Sequence, residues 1–170
     1  MKARFSPVSF KSQKIENSIL DEMFEAARWA ASSYNEQPWR FVYANKGSES
    51  YEKIYNNLME GNQNWAKEAP VLLFTMAKTS FDHNGKANFH SMHDLGMAVS
   101  NFLNKGVDFE IQAHQMGGFK RNDLREAFNI PDSYEIVACM ALGYTDETEA
   151  EKERKRLDLN QIRNQDSWNF

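Results

Sequence analysis

Residues 26–41 read AARWAASSYNEQPWRF, and how this stretch is parsed decides the arrangement of everything around it. Upstream, Ile19, Met23, Ala26, Ala27 and Ala30 recur at helical spacing, and Asn17 or Ser18 can cap the start. A helix is therefore predicted over about residues 17–31. Pro38 stops any continuation, Trp39 returns the chain to the core, and residues 41–44 read as a short strand. Between helix and strand lie Ser32, Ser33, Asn35 and Gln37, short or planar hydrogen-bonding side chains without fixed charge. They make either a polar helix exit or a holder for something flat and polar.

Working outward, a second helix is predicted over 49–59, with Tyr51, Ile54, Tyr55 and Leu58 on one side and Gly61 ending it. The run VLLFTM at 71–76 follows Pro70 and predicts a buried strand. Residues 80–88 read as a polar loop. A long helix over 88–105 should bury Met92, Leu95, Val99, Phe102 and Leu103. Gly96 sits inside it at a cost of about 1 kcal/mol relative to alanine, which suggests close packing or a close ligand. Strands at 109–113 and 136–143, a turn at 116–119 and a short helix at 122–128 complete the pattern. There is no regular strand–helix–strand alternation, which favours an α+β layered domain over a doubly wound sheet. One domain over 1–170 is expected, with 146–170 a charged tail too poor in apolar residues to build a core alone.

Composition narrows the function. At 170 residues and 41% apolar the chain suits a single core. With 12 Phe, 6 Tyr and 4 Trp it has more aromatic surface than such a core needs, which suggests a flat ligand or an apolar subunit interface. A formal net charge of −4 argues against general nucleic-acid binding. The apolar runs are too short to cross a bilayer, and the first ten residues lack the apolar segment of a secretion signal. A lone cysteine, Cys139, fits a reducing compartment, so a cytoplasmic location is expected.

Several candidate sites stand beside plainer readings. His90 and His93 are spaced to share a metal on a helix, but no third ligand is evident and a solvated face explains them as well. His114 precedes a double glycine and is either a ligand contact or a structural histidine. Cys139 lies in an apolar strand where a thiolate is disfavoured. Gly117 and Gly118 let backbone N–H groups approach a ligand, or simply make a turn. Arg154 and Arg156 suit a phosphate, or a solvated charge run; Arg4 and Ser6 have the same two readings. The glycine-rich loops of dinucleotide and nucleoside-triphosphate sites are absent from the sequence.

Taken in order, these pieces resemble the flavin-dependent nitroreductase family over nearly the whole chain. The resemblance rests on Arg4-Phe5-Ser6, the stretch 26–41 with its N-x-Q-P-W, Asn62, Trp65, Ala69-Pro70, Asp94-Leu95-Gly96 and Asn101. It continues through residues 114–119, Ala141-Leu142-Gly143-Tyr144 and Arg154-Lys155-Arg156-Leu157. It implies a mostly antiparallel sheet flanked by helices, in an intertwined homodimer with FMN at the interface and the tail embracing the partner. By motif, Arg4 and Ser6 would contact the ribityl-phosphate end, and Arg154 and Arg156 the phosphate. Gly117 and Gly118 would lie by the isoalloxazine, and Ser32, Ser33, Asn35 and Gln37 near the partner's flavin. Asn62, Asn64 and Lys67 would stand at the pyrimidine edge. The resemblance implies NAD(P)H as co-substrate and an electron-poor small-molecule acceptor, a nitroaromatic or quinone, reduced by a ping-pong cycle. No side-chain acid or base is required, since the cofactor carries the chemistry. The alternative is a dimer that stores or senses FMN without turnover. Departures from the family pattern are Val8 in place of Arg or Lys, Ala31 in place of Pro, Phe5 in place of Arg or His, and Glu110 in place of Gly.

Overall fold

An unbroken apolar run must be covered on both sides, and residues 71–78 are. The computed structural model describes residues 2–147, 154–166 and 168. Its elements run α1 (Asn17–Arg28), β1 (Trp39–Asn45), α2 (Glu49–Asn56), α3 (Glu60–Ala66), β2 (Val71–Lys78), α4 (Ser91–Val107), β3 (Gln112–Met116), α5 (Arg121–Ala127) and β4 (Tyr134–Gly143). The strands form one sheet in the order β1-β2-β4-β3, and every neighbouring pair is antiparallel.

Alternate side chains of β2 enter two different cores, as the two-residue strand period requires. Val71, Leu73 and Ala77 pack with Leu20 and Met23 of α1 and Leu95, Val99 and Phe102 of α4. Leu72, Phe74 and Met76 pack on the opposite face with Tyr51 and Ile54 of α2 and Leu124 of α5. The layered α+β arrangement expected from the sequence is therefore present. Phe102 is the hub of the first core, with ring centroids 5.0 Å from Phe24 and 6.0 Å from Phe41. On the other face the Tyr51 hydroxyl donates to the Ala69 carbonyl at 2.8 Å, fixing α2 to the turn before β2.

Between β2 and β4 the register shifts: Thr75 pairs with Ala138 but Met76 with Ile136, so Val137 is an extra residue on β4. That bulge lets Ile136 and Cys139, three apart, share the α2/α5 face while Val137 turns towards the α4 side. Cys139 is fully buried, and burial pushes its thiol up to about 12. It is expected to resist a thiol-specific disulfide reagent at mildly alkaline pH in the native protein and to react fully once denatured. Rapid labelling of native protein would contradict the packing of β4.

Several boundaries differ from the sequence reading. The second helix is two: α2 ends at Asn56, and Gly61 lies inside α3 rather than ending a helix. The break has a cause, because Leu58 bridges to Phe119 and Met59 N–H donates to the Gly118 carbonyl at 3.0 Å. The first helix stops at Arg28, three residues early. The third strand is Gln112–Met116, because residues 108–111 are taken up in the turn closing α4. Glu110 has φ +60° there, a left-handed backbone that explains why glycine suits the position. Met92, expected in the core, is 41% exposed. The polar loop 80–88 is an ordered hairpin, with Ser80 bridged to Ala87. Of the expected tail 146–170, residues 148–153, 167, 169 and 170 lie outside the described residues. The described part carries exposed Leu157, Leu159, Ile162 and Trp168. No helix among the described residues is long and apolar enough to cross a membrane.

Candidate functional site

The N-terminal strap, residues 2–8, lies along the outer edge of β3. Two side chains of β3 pin it. The Gln112 amide accepts from Phe5 N–H at 3.0 Å and donates to the Ala3 carbonyl at 3.1 Å, and His114 Nδ1 is 2.8 Å from the Pro7 carbonyl. The His114 ring also lies tilted against Trp65 of α3, with centroids 4.5 Å apart, contacts that suit a structural histidine. The Arg4 guanidinium reaches the Ser6 hydroxyl at 3.5 Å. Arg154 donates to the Lys2 and Arg4 carbonyls and so clasps the strap from the C-terminal side. Arg156 is exposed, with Nη1 donating to the adjacent Lys155 carbonyl at 3.0 Å.

Beside the strap a cleft of about 450 Å³ opens between α4 and the sheet. Arg4 lines it with Gln115, Val137 and Thr75 from the sheet and Met92, Gly96 and Ser100 from α4. Its size is that of a small-molecule site, and its walls mix apolar side chains with the polar Arg4, Thr75, Ser100, Asn104 and Gln115. Gly96 belongs to this wall: a Cβ there would meet nothing within 4 Å, so the glycine leaves open space rather than permitting close helix packing. Two residues beyond Gln115 lies Gly117, where an added Cβ would also meet nothing within 4 Å. At Gly118 the added Cβ would stand 2.9 Å from Asn62 Nδ2, the atom that donates to the Gly118 carbonyl at 2.9 Å. The two glycines thus differ: Gly117 borders open space, and Gly118 is a packing position held by Asn62.

Arg4, Ser6, Asn62, Gly117, Gly118 and Arg154 are accordingly brought to one edge of the sheet. Lys67 is not with them. It follows Asn62 by five residues, roughly 140° further round the helix, and lines a separate pocket with Lys46, Tyr51, Glu52 and Tyr55.

Ser32, Ser33, Asn35 and Gln37 form a turn of their own at the N-terminal end of α4. Three of its residues hold left-handed backbone without being glycine: Tyr34 (φ +53°), Asn35 (φ +55°) and Gln37 (φ +49°). Each costs about 1–2 kcal/mol, so the surroundings must enforce it. The Ser32 hydroxyl accepts from Gln37 N–H at 3.0 Å, and Gln37 Nε2 donates to the Asn35 carbonyl at 3.2 Å. Arg40 Nη1 donates to the Gln37 carbonyl at 2.9 Å. Asp94 supplies the inner hold. Its carboxylate, 2% exposed, accepts from Ser33 N–H at 2.9 Å through Oδ2, while Oδ1 lies 3.2 Å from His93 Nδ1. Asp94, Gln115 and Val137 were not singled out as site residues from sequence. Gln115 interrupts the polar–apolar alternation of β3, on the same phase as Ala113, and Asp94 carries its signal in the Asp94-Leu95-Gly96 piece of the family resemblance. Among the described residues no group of three potential ligands could hold a metal, and His93 is turned to Asp94.

The fold and site define the class: an α+β domain with an arginine-bearing strap, a cleft edged by Gly96 and a strained polar turn. The family is narrower: the Nitroreductase family model matches residues 1–62 and 46–144, and the chain belongs to that family. A Streptomyces coelicolor protein provisionally named NADH dehydrogenase/NAD(P)H nitroreductase is 34% identical over 137 residues, 79% of this chain. The chain spans 59% of that relative's length. A similarly named protein of Methanothermobacter thermautotrophicus is 24% identical over 148 residues, 85% of this chain and 74% of its own. Among solved structures, an oxidoreductase containing FMN superposes with TM-score 0.91 at 33% identity, covering 98% of this chain and 90% of that one. A nitroreductase family protein from Clostridium difficile, at 20% identity and TM-score 0.80, covers 98% and 96% and shares the fold.

Proposed function

We propose that this protein is an FMN-dependent NAD(P)H oxidoreductase that reduces nitroaromatics, quinones or related electron-poor acceptors by a ping-pong mechanism. The observation that carries the reading is the cleft bounded by Arg4, Gln115 and Gly96, with open space at Gly117 two residues beyond Gln115. FMN fits this donor set: an arginine and a serine suit its phosphate and ribityl chain, and open backbone at a glycine suits a ring with hydrogen-bonding edges. Bound FMN would supply the hydride chemistry itself. Arg4 and Ser6 would hold its phosphate end, and Arg154 would hold the strap that carries them. The Gly117 backbone would border the ring. A flavoprotein oxidoreductase at 33% identity over almost the whole chain supports this assignment.

The single domain, we propose, works as a homodimer in which the turn at 32–37 serves the flavin of the second copy. In support, that turn lies apart from the strap, and Trp29, Tyr34 and Phe89 are 75%, 83% and 91% exposed, more aromatic surface than a solitary domain needs to leave in water. The exposed apolar residues of the tail suit an embrace of the partner, and a cytoplasmic location fits the lone buried cysteine. The second reading, an FMN store or sensor, shares the binding features. The test is anaerobic: purified protein, loaded with FMN, should be yellow and bleach within minutes of adding NADH or NADPH. Yellow protein that does not bleach would favour the store, and protein that cannot be loaded would remove both readings.

Val8 stands where many family members carry a cation. It is 44% exposed, and its N–H donates to the Glu147 carboxylate at 2.9 Å. A lysine here favours anionic reduced flavin. Val8→Lys is expected to raise the midpoint potential of bound FMN by roughly 30 mV, about 1.4 kcal/mol for two electrons. An unchanged or lower value in a spectroelectrochemical titration would refute it.

A further inference from the structure

Glu36 is a second carboxylate at the turn and, unlike Asp94, belongs to the turn itself. Its side chain is only 6% exposed, although Tyr34 and Asn35 before it are exposed. A buried carboxylate must be partnered, and here the partners come from the hairpin at 79–88. Glu36 Oε1 accepts from Asp82 N–H at 2.6 Å, and Oε2 stands 3.9 Å from His83 Nδ1. The His83 ring is held in turn by Asn84 Nδ2, 2.8 Å from its Nε2. Above this contact three rings meet: Tyr34 lies 5.8 Å from Phe81 and 5.6 Å from His83, and those two lie 5.3 Å apart.

The hairpin is rooted. Antiparallel pairing sets the start of β1 beside the end of β2, with Trp39 opposite Ala77 and Lys78 N–H donating to the Pro38 carbonyl at 2.9 Å. The Lys78 ammonium pairs with the Asp82 carboxylate, and Phe81 N–H donates to the Lys86 carbonyl at 2.8 Å. The turn before β1 and the hairpin after β2 therefore rise from the same end of the sheet and touch through Glu36.

We propose that Glu36 is a positioning residue, and that with the 79–88 hairpin it clamps residues 32–37 in the left-handed conformation in which the turn meets the flavin. This rests on the proposed function. A turn with three left-handed residues would relax once its outer hold is cut, and each productive contact would then have to be re-formed at binding. Glu36 touches no reacting atom; its effect passes through the backbone of its own turn.

The experiment measures the FMN dissociation constant by quenching of flavin fluorescence, alongside the melting temperature of the FMN-free protein. Glu36→Ala is expected to weaken FMN binding roughly tenfold. Glu36→Gln, which keeps an oxygen for Asp82 N–H, should stay within about threefold of the parent protein. Phe81→Ala strips the ring contact from the hairpin side and should weaken binding in the same direction, so it substitutes if Glu36→Ala does not fold. Parent-like FMN affinity in folded Glu36→Ala, or in Phe81→Ala measured in its place, would overturn the clamp, even with a lowered melting temperature. Failure of the parent protein to bind FMN would instead remove the proposed function and the clamp with it.

Discussion

Gly117→Val is expected to lower FMN affinity by about a hundredfold or more while leaving the fold as stable as before. The reasoning separates ligand space from packing space. A Cβ at Gly117 would meet no heavy atom of its own chain within 4 Å, and the residue's backbone is not among the left-handed glycines. A Cβ is therefore tolerated by the fold, and the methyls of valine built on it would project into the space proposed for the flavin and shield the backbone N–H. The neighbouring residue supplies the control. Gly118→Val would place its Cβ 2.9 Å from Asn62 Nδ2 and 3.6 Å from Met59, breaking the contact that divides α2 from α3. That variant should lose stability as well as affinity. Flavin absorbance retained after gel filtration, with a melting curve for each variant, checks both. Full retention of FMN by Gly117→Val would show that the ring lies elsewhere.

Asp94→Ala carries the largest expected cost to stability, about 2–3 kcal/mol, or a fall of roughly 5–10 °C in melting temperature. Three losses coincide. Ser33 N–H, bonded to Oδ2 at 2.9 Å, is left without its acceptor in a part-buried position. The first turn of α4 loses its acidic residue, which the helix dipole favours there. The turn at 32–37 loses the inner hold on Tyr34, Asn35 and Gln37. Asp94→Asn keeps an oxygen for Ser33 N–H and should recover half or more of the loss. Denaturant titrations of the three proteins measure this; parent-like stability in Asp94→Ala would mean that the turn holds itself.

Part of this architecture was legible because it follows from local pattern. The run at 71–76 after Pro70 reads as a strand covered on both faces, and Leu95, Val99, Phe102 and Leu103 recur at helical spacing on one face. The motif around N-x-Q-P-W placed the helix exit and the family together. Gly61 misled because a glycine near a helix end is a common stop; what ended α2 was the distant pairing of Leu58 with Phe119. Met92 misled because periodicity shows which face it occupies, not whether a neighbour covers it. The family resemblance puts Lys67 with Asn62, whereas five residues of chain turn it to another side, beside Lys46 and Tyr55.

The sequence by itself determined the α+β class, the strands and the helices other than α3 in their order, the family, and the chemical kinds of residue offered to a ligand. These depend on spacing within a few residues, where side-chain period and backbone preference act directly. Only the tertiary structure decided that Gly117 borders open space while Gly118 is packed, that Arg154 clasps the strap, and that two little-exposed carboxylates, Glu36 and Asp94, tie one strained turn to the 79–88 hairpin and to α4. Those facts join residues 46 and 61 positions apart in the chain through Asp82 and Ser33. A carboxylate's partner across such a distance is set by how the sheet and helices pack, and no local pattern in the sequence encodes it.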